Sequence, residues 1–427
     1  MKIKTSIVVI LSIVFYTWSL LPFFCAEYTE GILKIFFNSL LIMAVCISII
    51  KRKKLNIDYL KMLIIITFVI FSFFIMNFFD YKESSKYFNV VLFFWITFLL
   101  NIFMNSSEKN ILVKWIIVIM CVTTLTSSIG VLINNDAART IAHAISDRVL
   151  QIEISKKNIA GIYLFQGLVC VSPSIITLLV YKKKKIYAIF YSLIMTFILA
   201  NASFSISLII FLMLFIVDLI IKSFRDVKYA KSTIRLLIGL IIIIIFVFFG
   251  EKIILWLSSV IGIEKVSERL AEVSKILFNG SNFIKSGDVS ERFALYKVSL
   301  DTFLNNIFTG IGPYYSFIKF QNGIGFHSQI LDDMARYGIS AILFYICFFR
   351  TYYKILKKNW SMIGDYTVAH TTTIAYFIFL LLNIGFRSHF ESTMMILIIP
   401  NLPKIFKNTV VRKDKDENNR ETSLCEN

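Results

Sequence analysis

The chain has 427 residues, of which 57% are hydrophobic and only 17% charged, with a formal net charge of +18. Soluble domains average about 45–50% apolar and about 25% charged residues, so this composition, with mean hydropathy +0.74, excludes an ordinary soluble enzyme. The positive charge sits in short loops between apolar runs, which excludes a nucleic-acid-binding surface as its reason and fits the positive-inside bias of membrane proteins.

In chain order the apolar runs fall at 5–24, 31–50, 60–79, 88–104, 115–133, 159–180, 186–201, 204–221, 236–254, 339–356, 366–384 and 393–410. Each is close to the roughly 17–25 residues that a crossing helix needs. The first, Thr5–Phe24, follows Lys2 and Lys4 but ends in Leu21-Pro22-Phe23-Phe24, with no small-residue cleavage site, and reads as a retained span. Basic residues mark alternate loops: Lys51 to Lys54, Lys109 with Lys114, Lys182 to Lys185, Lys222 through Arg235, Arg350 through Lys358, and the segment from Lys404. That alternation predicts an all-α, polytopic integral membrane protein of about twelve transmembrane helices in the cytoplasmic membrane, with both termini cytoplasmic. Residues 1–411 form one transmembrane domain; 412–427 form a polar tail predicted to be disordered.

Two extracytoplasmic segments are long, 134–158 and 255–338. The first carries Asp136, Arg139, His143, Asp147, Arg148, Lys156 and Lys157. In the second, Val266, Leu270, Val273 and Leu277 make one apolar stripe of a helix, and Phe293, Leu300, Phe303 and Leu304 make another over 291–305. Such helices would lie along the membrane surface or cover the mouth of the bundle.

Cofactor signatures are missing. The chain has no phosphate-binding glycine loop, dinucleotide fingerprint, HExxH or CxxC, and its six cysteines show no metal-like spacing. Its one Asp-x-Asp, Asp414-Lys415-Asp416, lies in the tail. No metal site and no cofactor are expected. The ionisable residues noted within spans, Lys34, Lys61 and Asp218, sit near span ends, which weakens an ion-coupled transporter reading.

What remains is the large loop. It contains Glu291-Arg292 leading an amphipathic helix, then Asn306-Ile307-Phe308-Thr309-Gly310-Ile311-Gly312, then Gly325-Phe326-His327-Ser328-Gln329-Ile330-Leu331 running to Gly338. These residues resemble the O-antigen polymerase and ligase superfamily, with its arginine-led helix, Asn-Pro-Leu-x-Gly-x-Gly turn and Gly-x-His-Asn-x-x-Leu segment. Ile307 stands where that pattern has proline, and Ser328 where it has asparagine. A second, weaker echo is Arg148 followed by Lys157-Asn158 and Gly161, while the family's Ser-Arg pair near the eighth span is absent, Ser203-Phe204-Ser205 standing there instead.

The resemblance implies glycosyl transfer from a polyprenyl-pyrophosphate-linked oligosaccharide outside the cytoplasm, without nucleotide or metal. It places Arg292, and more weakly Arg148, on the pyrophosphate, where a guanidinium grips phosphate oxygens in bidentate fashion. It places His327 at the acceptor hydroxyl, with an unperturbed pKa of about 6.5 suited to a general base. Asn158, Arg336, Gly310 and Gly312 complete the candidate substrate-binding set. Each residue also has a structural reading. His327 can tie down the start of a helix, and Arg292, Arg269 and Arg336 can be solvated helix faces. Gly310 and Gly312 can serve a tight turn with positive φ, and His370 can be a bonded polar residue at a helix interface. Function classes left open are a Wzy-type polysaccharide polymerase of O-antigen, capsule or exopolysaccharide synthesis, a ligase of the same superfamily, and a lipid-linked oligosaccharide flippase or exporter. A chain-length regulator and a flippase of the same pathway are the expected partners.

Overall fold

The structure, a computed structural model, describes residues 6–27, 32–51, 93–94, 96–134, 148–201, 207–214, 288–311, 323–383 and 389–406, with single positions between them. Among these every regular element is helical: α1 (Ile7–Leu20), α2 (Pro22–Glu27), α3 (Ile32–Lys51), α4 (Ser106–Ile133), α5 (Arg148–Lys156), α6 (Ile162–Tyr181), α7 (Lys185–Asn201), α8 (Asp288–Asn305), α9 (Gln329–Tyr337), α10 (Ile339–Trp360) and α11 (Thr367–Leu382). The last helix, α12, begins at His389–Thr393, widens into a π turn over Met394–Ile398 and runs on to 406.

Among the described residues, three helical segments are long and apolar enough to cross a membrane: Ser106–Ile133, Ile162–Tyr181 and Ile339–Ile363. Shorter apolar helices cover Ile7–Leu20, Ile35–Lys51, Lys185–Ala200 and Thr367–Leu382. The expected runs at 60–79 and 236–254, the apolar stripe at 266–277 and the tail lie outside the described residues, and those at 88–104 and 204–221 lie partly outside. The first run is broken where the sequence dictates. Leu21 is extended (φ −102°, ψ 108°), as a residue before proline prefers, and Pro22 restarts the helix at its first position, where no amide hydrogen is needed.

Helix α6 is the central post, packed against α7, α11 and α12, while α1 packs against α3 and α4. Large apolar side chains such as Tyr16, Phe98, Phe165, Phe348 and Trp360 fill the spaces between helices. Buried polar side chains stitch the bundle. Tyr16 donates to Thr97 Oγ1 at 3.1 Å. The Asn101 amide donates to the Ile396 carbonyl at 2.8 Å, within the π turn. His370, as expected from its position, is bonded at a helix interface, its Nε2 lying 2.9 Å from the Tyr353 hydroxyl.

Candidate active site

The amphipathic helix expected over 291–305 is α8, but its faces are divided differently from the expectation. Phe293, Leu300 and Leu304 are exposed, and only Phe303 of the stripe is buried. The buried face is made of Ser299 and Thr302, because what packs on it is a loop backbone with its own polar groups. Thr302 exchanges hydrogen bonds with Gly323, donating to its carbonyl at 2.8 Å and accepting from its amide at 3.0 Å. Ser299 accepts from the Gly325 amide at 2.8 Å and donates to Asp332 Oδ1 at 2.6 Å. Gly325 is packed so tightly on the Leu295 backbone that a Cβ would collide with it. The loop leading to His327 is therefore laid along the turn of α8 that begins at Arg292.

Both parts are tied to the same end of α11. Tyr296, one helical turn after Arg292, donates to the Leu382 carbonyl at 2.5 Å, and the Gln329 amide donates to the Asn383 carbonyl at 3.1 Å. Arg292 and His327 are 35 residues apart in the sequence; the end of α11 brings their supports together. Burial pushes the Tyr296 phenol above its ordinary range, an effect that the Arg292 charge offsets in part and Asp332 reinforces. Arg292 is half-buried, and among the described residues its guanidinium has no hydrogen-bond or ion-pair partner.

His327 follows Phe326, whose φ of +58° is left-handed, a conformation that costs about 1–3 kcal/mol for a residue with a side chain. What holds it there is a buried chain of contacts. The Arg336 guanidinium lies 5.4 Å from the Phe326 ring centre and 3.3 Å from Asp333 Oδ1. Asp333 in turn accepts from Gln329 at 2.7 Å and Tyr345 at 2.6 Å. Arg336 is 4% exposed, which corrects the solvated-face reading: most positions of α9 are buried because the helix is covered by α8, α10 and α11.

Ser328 caps α9, its hydroxyl accepting from the Leu331 amide at 3.1 Å. Asparagine and serine cap helices about equally well, so the departure from the family pattern at this position conserves the cap. Asp332, in the first turn of α9, is 3% exposed. Burial raises its carboxyl to about 6, against the opposing effects of Ser299 and Arg336 and with a further push from Asp333.

Gly310 has φ +64° and abuts the Arg336 carbonyl, and Gly338 has φ +58° and abuts Ile307 and Phe308. The turn is sewn to the junction of α9 and α10 by bonds from Ile311 to Ala335 at 3.0 Å and from Ile339 to Ile307 at 2.6 Å. Gly310 thus serves the backbone, as expected; Gly312 lies outside the described residues. Arg148 opens α5. Asn158 adopts φ +58°, and its side chain is used within the protein, donating to Thr126 Oγ1 at 3.0 Å and accepting from the Phe23 amide at 3.4 Å. The helix that Arg148 opens packs on α2, and Asn158 is bonded to α2 and α4, a different set of elements from that holding Arg292 and His327.

Three buried carboxyls escaped the sequence reading, Asp332 and Asp333 of α9 and Glu391. Glu391, in the first turn of α12, is 6% exposed. The apolar run at 393–410 begins two residues after Glu391, whereas the helix itself begins at His389 and takes Glu391 into its first turn.

Among the described residues, then, the protein is all-helical, with helices long and apolar enough to cross a membrane, and the segments carrying Arg292 and His327 are both tied to one end of α11. Residues 187–346 match the family model described as O-antigen ligase, in agreement with the O-antigen polymerase and ligase superfamily. The match takes in Arg292, Gly310, His327 and Arg336 and leaves out Arg148 and Asn158. Members of that family are integral membrane, glycosyltransferase-like enzymes, polymerases or ligases, that act on lipid-linked oligosaccharide. No curated protein gives a significant match to the chain.

Proposed function

We propose that this protein joins polyprenyl-pyrophosphate-linked oligosaccharide repeat units at the outer face of the cytoplasmic membrane, as a polysaccharide polymerase with about twelve spans and cytoplasmic termini. The observation that carries this reading is Arg292: a half-buried guanidinium without a partner among the described residues, on the helix against which the His327 loop is laid. Leaving such a cation unpaired costs stability, and the cost is explained if a substrate anion completes it.

In the reaction, an acceptor sugar hydroxyl attacks the anomeric carbon of the donor. The new carbon–oxygen bond forms as the bond to the pyrophosphate oxygen breaks, and direct attack inverts the anomeric centre. Charge grows on the departing pyrophosphate, where Arg292 stabilises it. His327 takes the hydroxyl proton. Asn158 and Arg148 are assigned no step, and Arg336, already paired with Asp333, supports the loop from behind.

The description of the matching family favours a second reading, a ligase that passes the finished glycan to another acceptor. Donor chemistry is shared, so the readings differ in product. The test is in vitro transfer with lipid-linked repeat units extracted from a deletion strain. Wild type yields a ladder of products, and Arg292→Gln and Arg292→Lys lose activity at least about tenfold, since lysine cannot reproduce the two-pronged grip. Full activity of the lysine variant removes the assigned role, and one-step transfer without a ladder selects the ligase.

A further inference from the structure

Glu391 is not used by the chemistry proposed above, and it is an expensive residue to keep. It is 6% exposed in the first turn of α12, and its Oε2 is buried without a hydrogen-bond partner among the described residues. It lies close enough to Cys170 of α6 and Tyr376 of α11 for its charge to act on both. Its backbone is drawn against α6 at Gly167, where a Cβ would stand 3.7 Å from the Glu391 Cα and 2.6 Å from Met394 Sδ. On the helices packed around it, two further polar atoms are buried and unpartnered among the described residues, Gln166 Oε1 on α6, next to Gly167, and the Tyr376 hydroxyl on α11. Buried polar groups are nearly always satisfied, and each exception calls for an explanation. An ionisable side chain inside a helix bundle is a functional residue by default. The π turn that follows at Met394–Ile398 is a further departure from regular helix of the kind found at functional sites.

The place matters as much as the chemistry. Gln166 is in the second turn of α6, Glu391 in the first turn of α12, and Tyr376 is six residues, or about 9 Å, from the end of α11. That end of α11 is where Tyr296 and Gln329 anchor the candidate active site. The three orphan atoms are thus on helices that meet near that end, and they are two acceptors and a hydroxyl.

We propose that the junction of α6, α11 and α12 at Glu391, Gln166 and Tyr376 is a binding site for the hydroxyl groups of the substrate sugar. Sugar hydroxyls are donors that satisfy a carboxylate and an amide oxygen at once, and a carboxylate is the stronger acceptor of the two. The site rests on the glycosyl-transfer reading, which supplies the sugar. It goes beyond that reading in placing part of the recognition inside the helix bundle, on groups outside the matched residues.

A residue kept for a ligand and a residue kept for the fold answer differently to removal. Glu391→Leu deletes a buried, unpartnered carboxyl. If Glu391 waits for a sugar, the purified full-length variant melts at a higher temperature than wild type, because an unsatisfied group has been replaced by an apolar one. It also binds the repeat-unit oligosaccharide, released from its lipid pyrophosphate by mild acid, at least about tenfold more weakly. Glu391→Gln, which keeps an acceptor, falls between. A lower melting temperature for Glu391→Leu means that the carboxyl is satisfied in the fold, by an internal water for example, and overturns the inference. So does a higher melting temperature with unchanged oligosaccharide affinity, or a wild-type protein that does not bind this probe. The glycosyl-transfer reading is checked separately with inorganic pyrophosphate, whose binding Arg292→Gln weakens and Glu391→Leu leaves within about twofold. Loss of that result with the oligosaccharide result intact removes the role of Arg292 and keeps the sugar site.

Discussion

The guanidinium of Arg336 lies 5.4 Å from the centre of the Phe326 ring, and Phe326 holds a left-handed backbone immediately before His327. A cation buried behind the loop thus keeps a strained residue in place, and the strain is expressed next to the proposed base. Arg336 is itself neutralised by Asp333 at 3.3 Å. Breaking a buried pair by removing one partner costs about 3–5 kcal/mol, because the other charge is left unpaired. Arg336→Met is therefore expected to lower stability by about 3 kcal/mol in thermal unfolding. Adding Asp333→Asn should recover part of that loss.

Phe326→Gly separates backbone from side chain. Glycine takes positive φ without penalty, so melting should change by less than about 1 kcal/mol as relief of strain offsets the lost ring contact. Transfer activity should fall, with the loss in kcat and little change in KM, since the backbone before His327 is no longer fixed. Unchanged kcat would show that the left-handed residue has no bearing on His327.

Gly310→Ala and Gly338→Ala should each destabilise the protein by at least about 2 kcal/mol. Both positions have φ near +60°, and a Cβ at either would meet backbone across the turn, the Arg336 carbonyl or the Ile307 and Phe308 carbonyls. Because neither neighbour is a flexible side chain, no small shift accommodates the methyl group. The readout is unfolding in detergent, together with the yield of folded protein.

Much of this was legible in the sequence, for reasons that are local. Helices α3, α6, α10 and α11 follow from long, mainly apolar runs, and the break at Pro22 follows from its missing amide hydrogen. The start of α9 was legible near His327, and the structure puts its cap at Ser328. The inward turn of Arg336 was not legible, because its partners Asp333 and Phe326 matter only once α8, α10 and α11 close over α9. Nor was the polar buried face of α8, since Ser299 and Thr302 face a backbone whose position no periodicity encodes. Glu391 was missed because an acid near a span end resembles a loop residue until Gly167 and Tyr376 are seen beside it.

Ser328→Ala should cost about 1 kcal/mol and Ser328→Asn almost nothing, since the hydroxyl accepts from the Leu331 amide at 3.1 Å and an asparagine oxygen can replace it. Equal losses for both would place the importance of the hydroxyl elsewhere than in the cap.

Asp332 gives a pH dependence of stability. Its carboxyl is raised by burial to about 6 in the folded protein, from an ordinary value near 4. The folded state therefore holds this proton more tightly than the unfolded state, and folding is favoured while it stays bound. The contribution is complete below about pH 4, declines as pH rises and is gone above about pH 6, amounting to roughly 3 kcal/mol at most. Melting temperature should fall between pH 4.5 and 6.5 in wild type and fall less in Asp332→Asn, which keeps an acceptor for Ser299.

The most direct test of the polymerase proposal is the length of the glycan made by a deletion strain carrying wild type or His327→Ala. Long chains with wild type, and single repeat units displayed outside with both the deletion and the folded His327→Ala protein, are the expected result. Long chains made equally well by His327→Ala, or single units that accumulate on the cytoplasmic side, would contradict it.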